Sequence, residues 1–525
     1  MTSTRPAPAD SDPAPPLRRP GVPAAAIAGI VAVGAGLGIG ELIAVTVGPD
    51  ASPYFAVGSA VVDHTPTAVR EWVIGTFGTS DKLVLFVLMG VVMALLAAVS
   101  GIAELRRPPA GTVVVVLFGI AGIGAALTRP NARWTYAIAS LIGALIAVVV
   151  LRILISLLRV DEHLPAATAA GIGRRFVLTA IGIGAVALAA GALGRKLLAD
   201  TAATIADRAG IRLPVPTSPA PPIPVGADLS AYGASPFVTG SDDFYRIDTA
   251  LQVPAMTTRD WTLRIHGMVD NEVHLRWDEL LAMPMTERLV TLTCVSNEVG
   301  GDLIGNARWL GVPMKGLLDR AGVHPGADML LSTSVDGWTC GTPVAAITDG
   351  RDAILAVGMN GQPLPVEHGY PVRQVIPGLY GYVSATKWVV DWELTQFSRA
   401  TAYWTDRGWS ALGPIKLASR IDRPASGSSR ERGDVVIAGT AWAQHTGVSA
   451  VEVKIDDGPW QRADLATEYS IDTWRQWRYT WHAVPGDHTV SCRATDLDGR
   501  PQVQTVASPV PDGATGLDSR TFTIT

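Results

Sequence analysis

Long apolar runs are concentrated in the first 200 residues of the chain, and each run carries very little charge. They cover residues 22–47, 82–103, 111–128, 134–157 and 175–194. A helix needs about 20 consecutive apolar residues to cross a bilayer. The pattern therefore predicts an all-α transmembrane bundle over residues 21–196. It follows a segment at 1–20 whose Pro, Ala and Asp content favours a disordered tail.

The pattern changes after the last run. Residues 197–228 are rich in proline, which favours an extended linker. Over 229–412, short β-branched runs alternate with short helical patterns such as Trp277–Leu281, which predicts an α+β domain. Over 413–525, alternating strands are separated by turns about every eight to twelve residues, which is typical of an immunoglobulin-like β-sandwich.

The distribution of arginine predicts the orientation of the bundle. Most arginines that flank the apolar runs fall on one side: Arg18, Arg19, Arg106, Arg107, Arg152, Arg159, Arg174 and Arg175. Positive charge marks the cytoplasmic side, although Arg129 and Arg133 fall on the other side. We therefore expect a multi-pass protein of a bacterial cell membrane, with a cytoplasmic N-terminus. Five spans place the second half of the chain outside the cytoplasm.

Two features of the bundle each have two interpretations. Glu41 lies inside the first run, where an acid suggests function, but it is near the outer end, where interfacial water favours a structural role. Arg174 and Arg175 precede an apolar segment and resemble the signal of twin-arginine export, placed internally. The alternative is that this pair is an ordinary flank that sets the topology.

Composition excludes several classes of protein. The net charge is −5, and no basic patch with interleaved aromatic residues occurs, so we expect no nucleic acid as a partner. The three cysteines, Cys294, Cys340 and Cys492, are far apart and form no CxxC motif. A disulfide framework, a c-type haem, a zinc ribbon and a cysteine-ligated iron–sulfur cluster are therefore all unexpected.

Cys294 directly follows an apolar, β-branched run, Leu289–Thr293, and precedes the small residues Gly300 and Gly301. This pattern predicts a buried strand that ends at the cysteine and leads into a loop. An isolated cysteine in such a place is usually just packed in the core. Other parts of the sequence are needed to assign it a function.

Several stretches together with the cysteine loop supply that assignment. They are Met359–Arg373, Ile376–Gly378, Ser384–Trp388 and Gly439–Trp442. In combination, residues 240–525 resemble the sulfite oxidase family of molybdopterin enzymes. The resemblance implies a sulfite-oxidase-like molybdopterin domain, followed by a β-sandwich through which a homodimer forms.

The resemblance also implies a molybdenum–molybdopterin cofactor (Moco) and a set of residues that bind it. Cys294 would be the molybdenum ligand and the catalytic residue, since a thiolate suits a soft metal. The residues that the resemblance assigns to the pterin are Tyr245, Arg246, Asp248, Asp336, His368, Arg373, Ser384, Thr386 and Lys387. Arginine, lysine and hydroxyl donors match a phosphate and a polar ring edge.

Two departures from the family pattern affect the substrate. Sulfite-oxidising members have an asparagine followed by arginines after the ligand cysteine, whereas Glu298 and Val299 follow Asn297 here. An acid at that place would repel sulfite. The catalytic tyrosine of the family is also missing. Its equivalent falls near Trp409, and Arg407 or Tyr403 is a candidate replacement.

The sequence thus predicts a membrane-anchored, extracytoplasmic molybdopterin oxidoreductase that transfers an oxygen atom and two electrons with a small substrate. Its partners would be the lipid bilayer and a cytochrome or quinone system that exchanges electrons with it. Reduction of an S-oxide or N-oxide is an alternative to sulfite oxidation. A non-catalytic, membrane-anchored binding or scaffold protein is an alternative of another class.

Overall fold

The computed structural model describes residues 21–66, 69, 72–73, 76–77, 81–129, 132–160, 166–198 and 202–525. The predicted tail at 1–20 lies outside these residues. The chain forms two compact units that divide at residue 200. Each unit is described by itself.

The N-terminal unit is helical. Its helices are α1 (Val22–Val47), α2 (Pro53–His64), α3 (Asp81–Arg106), α4 (Ala110–Leu127), α5 (Ala137–Val160) and α6 (Ala166–Leu198). All except α2 are long and apolar enough to cross a membrane by length and composition. These five helices match the five apolar runs of the sequence. The remaining helix, α2, lies between the first two apolar runs and is only 12 residues long.

Small residues of α1 bring it into close contact with three other helices. A Cβ atom on Gly29 would overlap the carbonyl oxygen of Ala97 in α3, and one on Gly38 would overlap that of Ala187 in α6. Gly36 approaches α5 in the same way. Glycine and alanine allow helix backbones to approach closely where both environments are apolar. The helix α1 is therefore the centre of the N-terminal unit.

Glu41 in α1 is buried, with 3% of its surface exposed. Its carboxylate accepts hydrogen bonds from Ser52 Oγ at 2.7 and 2.8 Å and from Tyr54 N at 3.4 Å. The expectation that Glu41 reaches interfacial water is wrong, because Ser52 and α2 cover it. The structural role remains, since the acid joins α1 to the start of α2.

The first part of the C-terminal unit contains two sheets. Its strands are β1 (Thr262–Gly267), β2 (Val273–Arg276), β3 (Thr286–Thr293), β4 (Ile304–Pro313), β5 (Met329–Ser334), β6 (Thr339–Pro343), β7 (Ile354–Met359), β8 (Gln362–Pro363), β9 (Arg373–Val375) and β10 (Val389–Thr395). One sheet has the order β2-β1-β10-β5-β6, and the other has the order β3-β4-β7-β8 with β9 on β7. Among the strands of these two sheets, only β1 and β10 pair in parallel. The sheets share a core that includes Trp261, Leu330 and Trp392.

Short helices connect these strands. They are α7 (Ala202–Gly210), α8 (Trp277–Leu281), α9 (Met314–Ala321), α10 (Ala345–Thr348) and α11 (Gly381–Ser384). The Pro-rich segment beside them is extended, as proline favours, and lies along β3: Thr217 N donates to Met285 O at 2.8 Å, and Glu287 N donates to Ser218 O at 2.9 Å. These hydrogen bonds fix its middle against the C-terminal unit.

The last part of the chain forms two further sheets that share one core. The strands are β11 (Ala418–Arg423), β12 (Ser429–Arg430), β13 (Gly433–Trp442), β14 (Val448–Ile455), β15 (Gln461–Arg462), β16 (Asp464–Leu465), β17 (Arg475–Ala483), β18 (Gly486–Asp496) and β19 (Ser519–Ile524). The sheet orders are β11-β13-β17-β16 and β12-β19-β18-β14-β15. Ile437, Val453, Trp477, Cys492 and Phe522 lie between them.

Gly29→Leu should destabilise the N-terminal unit by about 1–3 kcal/mol, because the side chain must displace the backbone of α3. Thermal loss of helical circular dichroism from the detergent-solubilised full chain measures the effect. Gly34→Leu is the matched control, since no atom lies within 4 Å of a Cβ built there. Equal losses in the two variants would contradict the packing of α1 on α3.

Candidate functional site

Cys294 is the first residue after β3 and begins a short closed loop. Its N–H donates to Leu303 O at 2.9 Å, and the Asn297 side chain accepts from Leu303 N at 2.9 Å. Both Cys294 and Asn297 are 8% exposed. The loop therefore holds the thiol in a fixed position at the edge of the sheet.

The strands that follow β10 hold the same loop from the other side. Arg420 Nη1 donates to Gly301 O at 2.8 Å, and Arg520 Nη2 donates to Gly300 O at 2.9 Å. Gly300 has φ +73°, and a Cβ atom there would overlap the Asp518 carboxylate. Gly300 thus allows the close approach of Asp518, which directly precedes β19.

Burial raises the pKa of the Cys294 thiol, while the N–H groups of Val295 and Ser296 and the Ser296 hydroxyl oppose that shift. These donors stabilise a thiolate once a cation is nearby. Within the described residues, no group of three His, Cys, Asp or Glu side chains is arranged to hold a metal ion. Cys294 therefore offers a metal a single thiolate.

Arg373 on β9 is a buried cation, 5% exposed. Its guanidinium donates to His368 O at 3.1 Å and lies 4.9 Å above the Trp309 ring. Burial lowers the pKa of Arg373 to about 10, so it stays charged at neutral pH. Among the described ion pairs, none joins Arg373 to a carboxylate. A buried guanidinium without a carboxylate is a strong site for an anion.

A second cationic group is built around Lys387. Lys387 Nζ lies 2.7 Å from Asp248, which also pairs with Arg246 at 2.9 Å. Burial lowers the pKa of Lys387 to about 8, and the charge of Asp248 opposes that shift. Burial also raises the pKa of Asp336, on which the charges of Asp248 and Lys387 both act. The structure thus brings four of the predicted residues into one cluster.

His368 joins the two cationic groups. It is 3% exposed, and its Nε2 lies 3.1 Å from Ser241 O. Burial lowers the pKa of His368 to about 4, and the charges of Arg373 and Lys387 add to this. Because its partner is a carbonyl, Nε2 carries the proton. The neutral ring keeps Nδ1 as an acceptor.

The hydroxyls of Ser384 and Thr386 already have protein partners. Ser384 Oγ donates to Leu379 O and Tyr380 O, both at 3.0 Å, and closes the turn of α11. Thr386 Oγ1 lies 2.6 Å from Ser332 Oγ. Both residues are fully buried. They differ in this respect from Arg373, whose donors meet only backbone carbonyls.

Two tyrosines lie close enough to Cys294 for its charge to act on their hydroxyls. Burial raises the pKa of Tyr245, and the charges of Cys294 and Arg373 act on it in opposite directions. Burial also raises the pKa of Tyr380 to about 12. Sequence reasoning missed Tyr380, although it lies between Ile376–Gly378 and Ser384–Trp388, two of the stretches that carry the resemblance. Its position between two matched motifs was the available signal.

The residues considered as replacements for the missing tyrosine lie together. The Arg407 guanidinium is 3.6 Å above the Tyr403 ring and donates to Tyr403 O at 2.8 Å. Trp409 packs against Trp404 and Tyr382. Tyr380 differs from them because the charge of Cys294 acts on it.

A depression beside the cysteine loop contains the residues that depart from the family pattern. Glu298 and Val299 are exposed and line it together with Tyr380 and Lys416. Lys416 Nζ is paired with Asp512 at 2.7 Å. The depression therefore contains Glu298, which takes part in no described ion pair, and Lys416, whose charge is offset by Asp512.

Comparison with known proteins identifies the class. Residues 250–404 match the family model of an oxidoreductase molybdopterin binding domain. Rat mitochondrial sulfite oxidase is 29% identical over 307 residues, which are 49% of this chain and 56% of the relative. The uncharacterized oxidoreductase YuiH of Bacillus subtilis (strain 168) is 31% identical over 153 residues, covering 29% of this chain and 74% of that protein.

A solved structure, the sulfane dehydrogenase SoxCD from Paracoccus pantotrophus, aligns with a TM-score of 0.49 at 21% identity and covers 57% of this chain and 85% of that one. The sequence matches define a molybdenum-cofactor-dependent oxidoreductase. The chain belongs to the sulfite oxidase family of molybdopterin oxidoreductases. It spans about half the length of the sulfite oxidases that it matches.

The residues around Cys294 fit the cofactor of this family. Molybdopterin carries a phosphate and a ring edge of donors and acceptors. Arg373 supplies a buried cation with no described carboxylate partner, and His368 supplies an acceptor between two cations. Cys294 supplies a sulfur ligand whose thiolate form is favoured by the N–H groups of Val295 and Ser296. The donor set is thus that of an anionic, metal-bearing ligand.

The titration of His368 predicts a pH dependence for the cofactor-free chain. Its folded pKa of about 4 lies below the unfolded value of 6.5. Between these values the unfolded state binds more protons, so stability falls as the pH falls from 6.5 to 4, by up to about 3 kcal/mol. Melting followed by tryptophan fluorescence measures this change. The dependence of stability on pH should be weaker in His368→Gln. An unchanged dependence would show that another group titrates in this range.

Proposed function

We propose that the chain is a membrane-anchored molybdopterin oxidoreductase with its catalytic unit outside the cytoplasm and Cys294 as the molybdenum ligand. The observation that carries the proposal is the closed loop that holds a buried thiol, together with the buried Arg373 guanidinium, since the charges of both groups act on the same tyrosine, Tyr245. When bound, the cofactor supplies oxygen-atom transfer coupled to two electrons. The protein positions the cofactor and substrate and controls protons.

The residues divide this work. Cys294 holds the metal as a thiolate, supported by the N–H groups of Val295 and Ser296. Arg373 and Lys387 bind the anionic part of the pterin, and His368 accepts a hydrogen bond from its ring. We also assign pterin binding to Tyr245, Arg246, Asp248 and Asp336. Ser384 and Thr386 would contact the pterin through their backbone.

We assign Tyr380 the role of the missing tyrosine. With a pKa of about 12 its hydroxyl stays protonated at neutral pH, so it can donate a hydrogen bond to an oxygen atom of the substrate. The proximity of Tyr380 to Cys294 favours it over Tyr403 and Arg407, which are stacked on each other.

Glu298 favours reduction of a neutral S-oxide or N-oxide over oxidation of anionic sulfite. It is exposed in the depression next to Tyr380, while Lys416 there is paired with Asp512. A local negative charge lowers the concentration of an anion at the site. Electrons pass between this site and a separate cytochrome or quinone system.

The N-terminal helices are proposed to span a bacterial membrane, with the arginines at 106–107, 152, 159 and 174–175 on the cytoplasmic side. Arg129 on the other side is paired with Asp63 at 2.8 Å, which offsets its charge. The two sheets of residues 418–524 are proposed as an immunoglobulin-like β-sandwich through which a homodimer forms. The domain boundaries stay as the sequence predicts them.

Cys294→Ser should remove molybdenum from the full chain made in a host that synthesises the cofactor, because a serine hydroxyl is a poor ligand for a soft metal. Metal analysis of the purified protein measures this. Cys492→Ser is the matched control: Cys492 is buried between the C-terminal sheets, and Ser419 Oγ offers its side chain a hydrogen-bond partner. Wild-type protein without molybdenum would instead support the scaffold alternative.

Tyr380→Phe should lower kcat by about 10²–10⁴-fold while molybdenum content stays unchanged, because the variant removes only a proton donor. The assay uses the best substrate from a screen of sulfite, S-oxides and N-oxides with an artificial electron carrier. Tyr403→Phe is the control and should retain activity. The reverse result would return the role to Tyr403.

Replacement of Arg174 and Arg175 by lysine should leave the C-terminal unit in the cytoplasm if the pair is an export signal, because lysine preserves charge but not the twin-arginine motif. Protease accessibility in spheroplasts measures the location. The same change at Arg106 and Arg107 is the control and should have no effect. Normal delivery of the first variant would show that the pair only sets topology.

A further inference from the structure

The N-terminal unit contains a cavity of about 670 Å³ that opens to the surface where α3 ends, α4 begins and α5 passes. Its lining residues are Glu104, Pro108, Pro109, Arg152, Ile155, Ser156 and Arg159. Nothing in the proposed catalytic function uses this cavity. Two of its lining side chains are arginines, so its chemistry differs from that of the surrounding apolar helices.

Both arginines project from one face of α5, since residues seven apart lie on the same side of a helix. Arg159 Nη2 donates to Glu104 O at 2.8 Å and Leu105 O at 3.2 Å, which anchors it at the C-terminal end of α3. Arg152 Nε reaches Thr112 Oγ1 at 3.4 Å. In the part of the chain that is described, no ion pair joins either guanidinium to a carboxylate. Both therefore retain donors for an anion.

The acid in the cavity is already committed elsewhere. Glu104 is 5% exposed, and its Oε2 accepts from Thr112 N at 2.7 Å, in the first turn of α4. A carboxylate at a helix N-terminus is stabilised by the unpaired N–H groups and the helix dipole. Two arginines and one acid leave the cavity with a net positive charge.

The depth of Arg152 favours a compensating anion. It lies eight residues before the end of α5, so its Cα is about 12 Å along the helix from that end. An arginine inside an apolar helix is costly unless a polar partner meets it. Beside the cavity, α4 exposes Val113, Val116, Leu117 and Ile120. An apolar surface next to a basic cavity suits a ligand with a charged head and acyl chains.

We propose that this cavity binds the phosphate headgroup of an anionic phospholipid, with Arg152 and Arg159 on the phosphate and the acyl chains along α4. Basic cavities between membrane helices on the cytoplasmic side bind such headgroups. The inference rests on the proposed membrane insertion of the helices and is independent of the catalytic proposal. The bound lipid supplies the counter-charge for Arg152.

Native mass spectrometry of the detergent-solubilised full chain, titrated with phosphatidylglycerol, tests the site. Arg152→Gln should weaken binding about fivefold, equivalent to about 1 kcal/mol for one arginine. Arg152→Lys should retain most of it. The matched control is Arg106→Gln, an exposed arginine in the last turn of α3 that does not line the cavity; it should bind like the wild type.

Three outcomes would overturn the proposal: equal weakening in the Arg106 and Arg152 variants, wild-type binding by Arg152→Gln, or binding of inorganic phosphate as tight as that of the lipid. The first would indicate diffuse surface charge, and the last a soluble ligand. Retention of the chain in carbonate-washed membranes checks insertion separately. Molybdenum content checks the catalytic unit, so failure of either earlier proposal is distinguishable from failure of this one.

Discussion

The burial of ionisable groups around Cys294 is the constraint on which the catalytic unit depends. Burial shifts the pKa values of Cys294, His368, Arg373 and Lys387 toward their neutral forms. Each shift is a cost of removing a charged group from water. An anionic cofactor that carries a metal offsets that cost at each of them, because it supplies negative charge to the cations and positive charge to the thiolate.

The cysteine loop also explains why the C-terminal strands belong to the site. Arg420 and Arg520 bind the backbone of Gly301 and Gly300, and Trp474 N donates to Thr291 Oγ1 at 2.8 Å. These contacts hold both the end of β3 and the loop that follows it. A change in the C-terminal sheets would therefore be transmitted to the thiol, although none of their residues belongs to the resemblance-based cofactor set.

The helical unit follows a different physical rule. Its closest backbone approaches depend on glycine and alanine, and the buried carboxylate of Glu41 has Ser52 as a hydrogen-bond partner. Arg152 differs, since its contact with Thr112 is long at 3.4 Å. This difference distinguishes the basic cavity.

The sequence alone determined the elements that depend on local pattern: five apolar helices, a strand that ends at Cys294, and the short helix α8. The resemblance supplied the family, because its motifs are continuous in the chain. The tertiary structure alone showed that Glu41 is covered by Ser52, that Tyr380 lies near Cys294, and that Ser384 and Thr386 turn their hydroxyls to the protein. These facts depend on where each side chain points and on which distant segments meet it, and neither periodicity nor a motif encodes them.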